Sequence, residues 1–140
     1  MESLFYCTPR RVPLSALTDR LMEMGLIDSI DNTRPMTAIV YQQEIWFHLR
    51  ETPREEWTIF EDSQLLVLQE CEIQSVFQID CPVSLLDAIR PHLCAMIRSF
   101  DGWIGLDDAA FSTRLTPAEL DEPGGSLRLV IANRREEDGY

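Results

Sequence analysis

Phe77–Asp108, FQIDCPVSLLDAIRPHLCAMIRSFDGWIGLDD, decides the fold class. It opens inside an alternating run, Ile73–Asp80, in which Ile73, Phe77 and Ile79 share one face and Gln74, Gln78 and Asp80 the other. That is the period of a strand with one face in a core, and Val76 alone breaks it. From about Ser84 the period changes: Leu86, Ile89, Leu93 and Met96/Ile97 recur at helical spacing. Ser84 with Asp87 three residues on resembles a capping box with Asp in place of Glu. Pro91 interrupts the stripe, because proline inside a helix removes a hydrogen bond and clashes with the preceding turn. Either a kink there, or two abutting short helices with Pro91 in the first turn of the second, is expected. Asp101-Gly102 stops the helix, and Trp103–Leu106 reads as a short strand.

Outward from this stretch the same elements recur. Ser3–Thr8, bounded by Pro9, suits a first strand. Leu14, Leu17, Leu21 and Met24 then form one helical stripe that Gly25 can end. The order strand, proline, amphipathic helix thus occurs twice, at FYCTP…VPLSALTDRLMEMG and at FQIDCPVSLLDAIRPHLCAMI. It suggests two β-α units in one sheet with antiparallel strands between them. Leu26–Pro35 reads as a loop. Met36–Tyr41 and Glu44–Arg50 read as strands. They are joined at Gln42-Gln43 either by a tight turn lacking the usual Gly or Asn or as one bent strand. Glu51–Glu56 is a charged loop, Trp57–Phe60 a short strand, and Leu65–Glu70, with its LLVL core, a strand buried on both faces. Asp107–Leu115 is ambiguous. Thr116 and Pro117 start a short helix, which Pro123-Gly124-Gly125 breaks. Leu127–Ala132 is expected as a last strand. The reading is a single α+β domain over residues 1–132, with 133–140 as a frayed tail. A mixed, mainly antiparallel sheet of about five to seven strands carries two main amphipathic helices.

Composition narrows the function classes. At 140 residues, 45% hydrophobic and 26% charged, the chain is an ordinary globular one. Its net charge of −12 is not ordinary, and every cation is Arg. GC-rich codons account for the absence of Lys. Residues 1–50 hold six acids and five arginines, whereas 51–140 hold eighteen and seven, so the charge is concentrated in the later part. Such a balance argues against nucleic acid and anionic membrane as partners, since both need cationic surface. No apolar run reaches the length of a membrane span, and the N-terminus lacks the pattern of a signal peptide. With four cysteines outside any C-x-x-C spacing, a reducing cytoplasm is the simplest compartment.

No catalytic or cofactor-binding motif stands out. His48 and His92 have no local nucleophile or orienting acid and read as surface or structural. Cys81, between Asp80 and Pro82, lacks the electropositive setting that makes a thiol reactive, and Cys7, Cys71 and Cys94 read likewise as small buried hydrophobes. Gly124-Gly125 has neither the pattern nor the Lys of a phosphate loop. Asp107-Asp108, after Asp101, is the only candidate for a hard cation such as Mg²⁺, and adjacent strand residues point to opposite faces. A metal-using enzyme is therefore the third-ranked reading; catalytic, cofactor and metal sites are all assigned as none. The acids around an aromatic are a better candidate. Glu55, Glu56, Glu61 and Asp62 flank Trp57, and Asp107 and Asp108 follow Trp103. A charge run is usually a solvated face, but carboxylates around an aromatic anchor can also bind a cationic partner.

A compact, acidic α+β chain without a catalytic set, with a helix followed by DGWIGLDD, resembles the bacterial immunity proteins that neutralise secreted or contact-delivered toxins. The resemblance implies a cytoplasmic toxin inhibitor that covers a cognate, basic toxin domain through protein–protein contact. Glu55, Glu56, Trp57, Glu61, Asp62, Trp103, Asp107 and Asp108 are the partner-binding candidates from the residues themselves. The alternative is a regulatory or structural homodimer built on an exposed strand edge or a Trp face.

Overall fold

A computed structural model describes residues 2–30, 36–121 and 126–138, with 28–30 and 133–138 as backbone alone. Ser3–Thr8 is apolar on both of its faces, and a strand of that kind belongs in the middle of a sheet. It lies there: β1 (Glu2–Thr8) pairs on one side with β5 (Ser75–Cys81) and on the other with β6 (Trp103–Leu106). The remaining strands are β2 (Ile27–Ile30), β3 (Thr37–Tyr41), β4 (Glu44–Thr52) and β7 (Arg114–Leu115). All seven form one sheet in the order β2-β3-β4-β5-β1-β6-β7, and each described pairing is antiparallel. Both expected β-α units are present. α1 (Leu14–Glu23) follows β1, and α3 (Arg90–Phe100) follows β5. Since β1 lies between β5 and β6, β5–α3–β6 is a split β-α-β unit.

The two faces of the sheet are covered differently. Leu4, Tyr6, Ile39, Phe47, Leu49, Phe77, Ile79, Ile104 and Leu106 form one core with Leu17 and Leu21 of α1 and Leu93, Met96 and Ile97 of α3. Leu120 of α4 (Pro117–Leu120) and Leu127 and Ile131 of α5 (Leu127–Asp138) close it. On the other face Phe5, Cys7, Val76 and Trp103 pack with Phe60, Phe111 and Leu68 of α2 (Asp62–Glu70). This second cover reaches only part of the sheet. Val76 breaks the alternation of its strand because that end of β5 lies under α2, while Gln78 and Asp80 further along are only half-buried.

β1 also finishes α3. Carbonyls in the last turn of a helix have no partner within it. The Tyr6 hydroxyl donates to the carbonyls of Met96 (3.2 Å) and Asp101 (2.5 Å), and the Thr8 hydroxyl to that of Phe100 (2.5 Å). Asp101 and Gly102 then turn the chain with φ of 63° and 99°.

Several expectations are corrected. Leu65–Glu70 is helical, because Phe60, Leu65 and Leu68 bury one side of α2 and leave Leu66 outside. Trp57–Phe60 is not a strand: a 3₁₀ turn occupies Arg54–Ile59. Within the expected loop Leu26–Pro35, Ile27–Ile30 pairs with β3, and 31–35 lie outside the described residues. Of the two expectations for Pro91 the second holds: a short 3₁₀ turn, Val83–Leu85, precedes α3, which carries Pro91 in its first turn, but Ser84 and Asp87 do not form a capping box. Asp87 instead caps α5, accepting the Leu127 N–H (2.7 Å) and the Ser126 hydroxyl (3.0 Å). Leu127–Ala132 is therefore helix, not strand, and α5 continues through 133–138. The break at Pro123–Gly125 lies outside the described residues, as do 139 and 140.

The β3–β4 connection is a two-residue hairpin, with Tyr41 opposite Glu44 and φ of 50° and 68° at Gln42 and Gln43. Two glutamines there hold a conformation that Asn and Gly adopt more readily. Gln42→Asn with Gln43→Gly is expected to raise stability by about 1 kcal/mol, measured by urea unfolding; an unchanged midpoint would count against strain at this turn.

Candidate functional site

The acid-rich segment leaves the sheet at Thr52 and returns to it at Ser75. Pro53 starts the 3₁₀ turn, and Trp57 is fixed within it. The Trp57 indole N–H donates to the Thr52 carbonyl (3.0 Å), and the Arg54 guanidinium lies over the ring at 4.6 Å. Arg54 also donates to the Ile73 carbonyl (3.2 Å), so it ties the turn to the far end of α2. Phe60 then enters the core beside Leu65, a hydrophobic pair across the start of the helix. Glu61 caps α2 reciprocally with Gln64, whose side-chain oxygen accepts the Glu61 N–H (3.0 Å). Two carboxylates, Glu61 and Asp62, stand at the positive end of that helix, where the dipole favours them.

Gln64 joins the two acidic segments. Its buried side-chain NH₂ donates to Asp107 Oδ1 (3.4 Å) and to the Asp108 carbonyl (3.0 Å). Glu61, Asp62 and Asp107, all exposed, thus lie at neighbouring points, with Glu55 exposed one turn earlier in the chain. Ile59 and Leu66 are 62% and 54% exposed in the same segment, so it combines carboxylates with uncovered aliphatic surface. Glu56 is partly spent: it forms an ion pair with Arg50. Asp108 is turned inward to the loop, where Oδ2 accepts the Thr113 N–H (3.3 Å).

Trp103 does not belong to this surface. It is 9% exposed, packed on Phe111 with centroids 5.6 Å apart, and Arg114 lies over its ring at 5.8 Å. The space for it is made by Gly105, where a Cβ would sit 2.8 Å from the indole. Trp57 takes the role of aromatic wall alone. With Pro9, Arg54, Leu65, Leu68, Gln69, Glu72, Ile73 and Gln74 it lines an open cleft of ≈ 610 Å³.

No family model, curated protein or solved structure matches this chain. What the site can do follows from its own chemistry. Among the described residues no three His, Cys, Asp or Glu side chains converge as metal ligands, and no helix is long and apolar enough to cross a membrane. All four cysteines are free. Burial pushes the Cys81 thiol up to about 12 and the Cys7 thiol well above its ordinary value, so neither supplies a thiolate near neutral pH. His48 pairs across the strands with Asp80, whose Oδ1 already accepts the Ser3 hydroxyl (2.7 Å) and the Gln78 amide (3.0 Å).

His92 is half-buried on α3, edge-on to Trp46 with centroids 5.8 Å apart. Burial lowers its pKa, against a smaller opposite effect of the Ala88 backbone. Above the unfolded value of about 6.5, neither state is protonated and His92 adds no pH dependence. As pH falls below it, the unfolded chain takes the proton first, so stability declines until the folded pKa is passed. His92→Gln is expected to remove this part of the decline. Urea midpoints of both proteins, followed downward from neutral pH, check it; parallel curves would sink the assignment.

The structure brings Glu61, Asp62 and Asp107 to neighbouring points and leaves Glu56 paired and Asp108 turned inward, and nothing in the sequence signals the linking roles of Arg54 and Gln64. Those roles exist only once 62–70 is a helix.

Proposed function

We propose that this chain is a binding protein of the immunity type, which neutralises a basic toxin domain in the cytoplasm by covering it with the acidic face around α2. The observation that carries the reading is the Gln64 bridge, which sets the exposed acids at the start of α2 beside Asp107. A partner that binds nucleic acid presents cations where phosphates would lie, and carboxylates can take those positions. The acids speed the encounter, and buried apolar area at Ile59, Leu66 and Trp57 holds the complex.

Glu55 and Asp62 are the residues to reverse, because Glu56 is tied to Arg50, Glu61 caps the helix and Asp107 accepts from Gln64. The double Lys variant is expected to keep its fold and to associate with a basic protein captured from the native host at least tenfold more slowly. Its rate should also depend less on salt. Stopped-flow association at two ionic strengths measures this, and unchanged rates and salt slopes would overturn the reading.

One observation favours a homodimer instead. Ile27 pairs with Val40 and Val40 with Ile45, and the two outer residues are 63% and 50% exposed beside the edge strand β2. Such a row suits sheet extension by a second copy. Light scattering on the purified chain discriminates: a dimer converted to monomer by Ile45→Glu supports this second reading, and a wild-type monomer rejects it.

A further inference from the structure

The outer side of α2 is apolar at its centre and acidic at its flanks. Gln64 and Leu68, 4% and 1% exposed, mark the side of the helix that faces the sheet. Leu66 is two residues from each, about 200° round the axis, so it points the opposite way. It is 54% exposed. Asp62 and Glu70, four residues before and after it, stand about 40° to either side, and both are exposed. Ile59, 62% exposed, precedes the first turn.

The charge of this side is of one sign. Between residues 55 and 72 there are six carboxylates and no cation. Three arginines from neighbouring elements are engaged elsewhere: Arg50 with Glu56, Arg54 over Trp57 and Arg114 over Trp103. Cations flanking an aliphatic row on the partner are therefore the complement.

The backbone limits the shape of that partner segment. The amides and carbonyls of α2 bond to one another, Glu61 and Gln64 close its start, and the Cys71 N–H closes its end on the Val67 and Gln69 carbonyls. A strand or loop pressed across Leu66 would bury its own N–H and C=O groups and find no backbone partner there, which is unfavourable for each group. A helix brings its backbone already paired.

We propose that the outer side of α2 docks one amphipathic helix of the basic partner, with an aliphatic stripe over Leu66 and Ile59 and Arg or Lys on both sides of it, facing Asp62 and Glu70. Helix-on-helix packing of this kind buries the two aliphatic side chains and leaves the ion pairs at the rim. The proposal rests on the acidic-face reading of the function and specifies the segment that the face takes.

The probe is an N-acetylated, C-amidated peptide of about 18 residues, with leucines at helical spacing and arginines on both flanks. One control rearranges the same residues into strand alternation, and the other places proline at the centre, where it breaks the helix. Each is titrated into the full chain while the Leu66 and Ile59 methyls are followed by NMR. The probe is expected to saturate both shifts with a Kd below about 100 µM, at least tenfold more tightly than either control. Leu66→Ser, a change outside the core, is expected to keep the fold and weaken the probe at least tenfold, read at Ile59. Glu70→Gln should weaken it severalfold and reduce its salt dependence. No saturable shift up to about 1 mM, equal affinity for the probe and either control, or full binding by Leu66→Ser would each overturn the proposal. If the helix fails while reversal of Glu55 and Asp62 still slows association with the basic protein, the docked segment is wrong and the acidic face stands. If the probe binds as expected while that reversal changes nothing, the acidic face is the part that fails.

Discussion

Gly102→Ala is expected to cost about 2–5 kcal/mol, the upper end being close to the whole stability of a marginal domain. Two effects add. Gly102 has φ 99°, where an L-residue pays about 1–2 kcal/mol. An added Cβ would also stand 2.0 Å from the Cys7 carbonyl oxygen and 2.8 Å from Thr8 Cα, both backbone atoms. No side chain can swing aside, and β1 cannot retreat, being paired with β5 on one side and β6 on the other. Its Tyr6 and Thr8 hydroxyls are also engaged with the end of α3. Overpacking of this kind adds about 1–3 kcal/mol or more. Gly25 is the control. Its φ is 92°, but nothing lies within 4 Å of an added Cβ, so Gly25→Ala isolates the backbone cost of about 1–2 kcal/mol. At about 2–4 °C per kcal/mol for a chain of this size, thermal melting should separate the two variants by several degrees or leave Gly102→Ala unfolded. Equal losses in the two would refute the close approach.

The elements legible in the sequence are those whose period one burial pattern dictates. The stripe of Leu17 and Leu21 faces a single core, while Ser3–Thr8 and the strand within Ile73–Asp80 keep the period of a strand although they feed both cores, with Ile73 just outside β5 and packed in the second cluster. The misread elements are short apolar runs in which period does not discriminate. LLVL at 65–68 has the length of a buried strand, and only the docking of Phe60, Leu65 and Leu68 against Phe5 and Phe111 makes it a helix. Leu127–Ala132 likewise reads as a strand, because the capping carboxylate of α5 comes from Asp87, forty residues away. At the site, the acids were visible as composition. Their adjacency depends on Gln64, a glutamine with no distinguishing pattern. Trp103 was placed outside because an aromatic beside acids reads as an anchor. A signal was present: Gly105, two residues on in the same strand, is where a large ring can fold over the backbone.

Phe111→Ala is the second large effect, expected at about 3–5 kcal/mol. Phe111 is wholly buried, and its ring meets Phe5 at 5.9 Å, Phe60 at 5.6 Å and Trp103 at 5.6 Å. Those partners come from β1, the start of α2 and β6, so one ring joins the acidic segment to the sheet. Its backbone φ of 45° is unfavourable for alanine also, so truncation relieves no strain. Phe47→Ala, fully buried in the other core, is expected to cost a similar amount by the same cavity argument. The two should differ in where the chain loosens. Removing Phe111 takes away the anchor of Phe60 and of the 107–111 loop, so amide exchange should quicken in α2 and residues 107–115 ahead of α3. Removing Phe47 should quicken α1 and α3 amides at least as much. The acidic segment packs on the sheet through this small cluster, so loss of the cluster should loosen that segment first. Equal acceleration across α2 and α3 in both variants would mean that the two cores open as one unit.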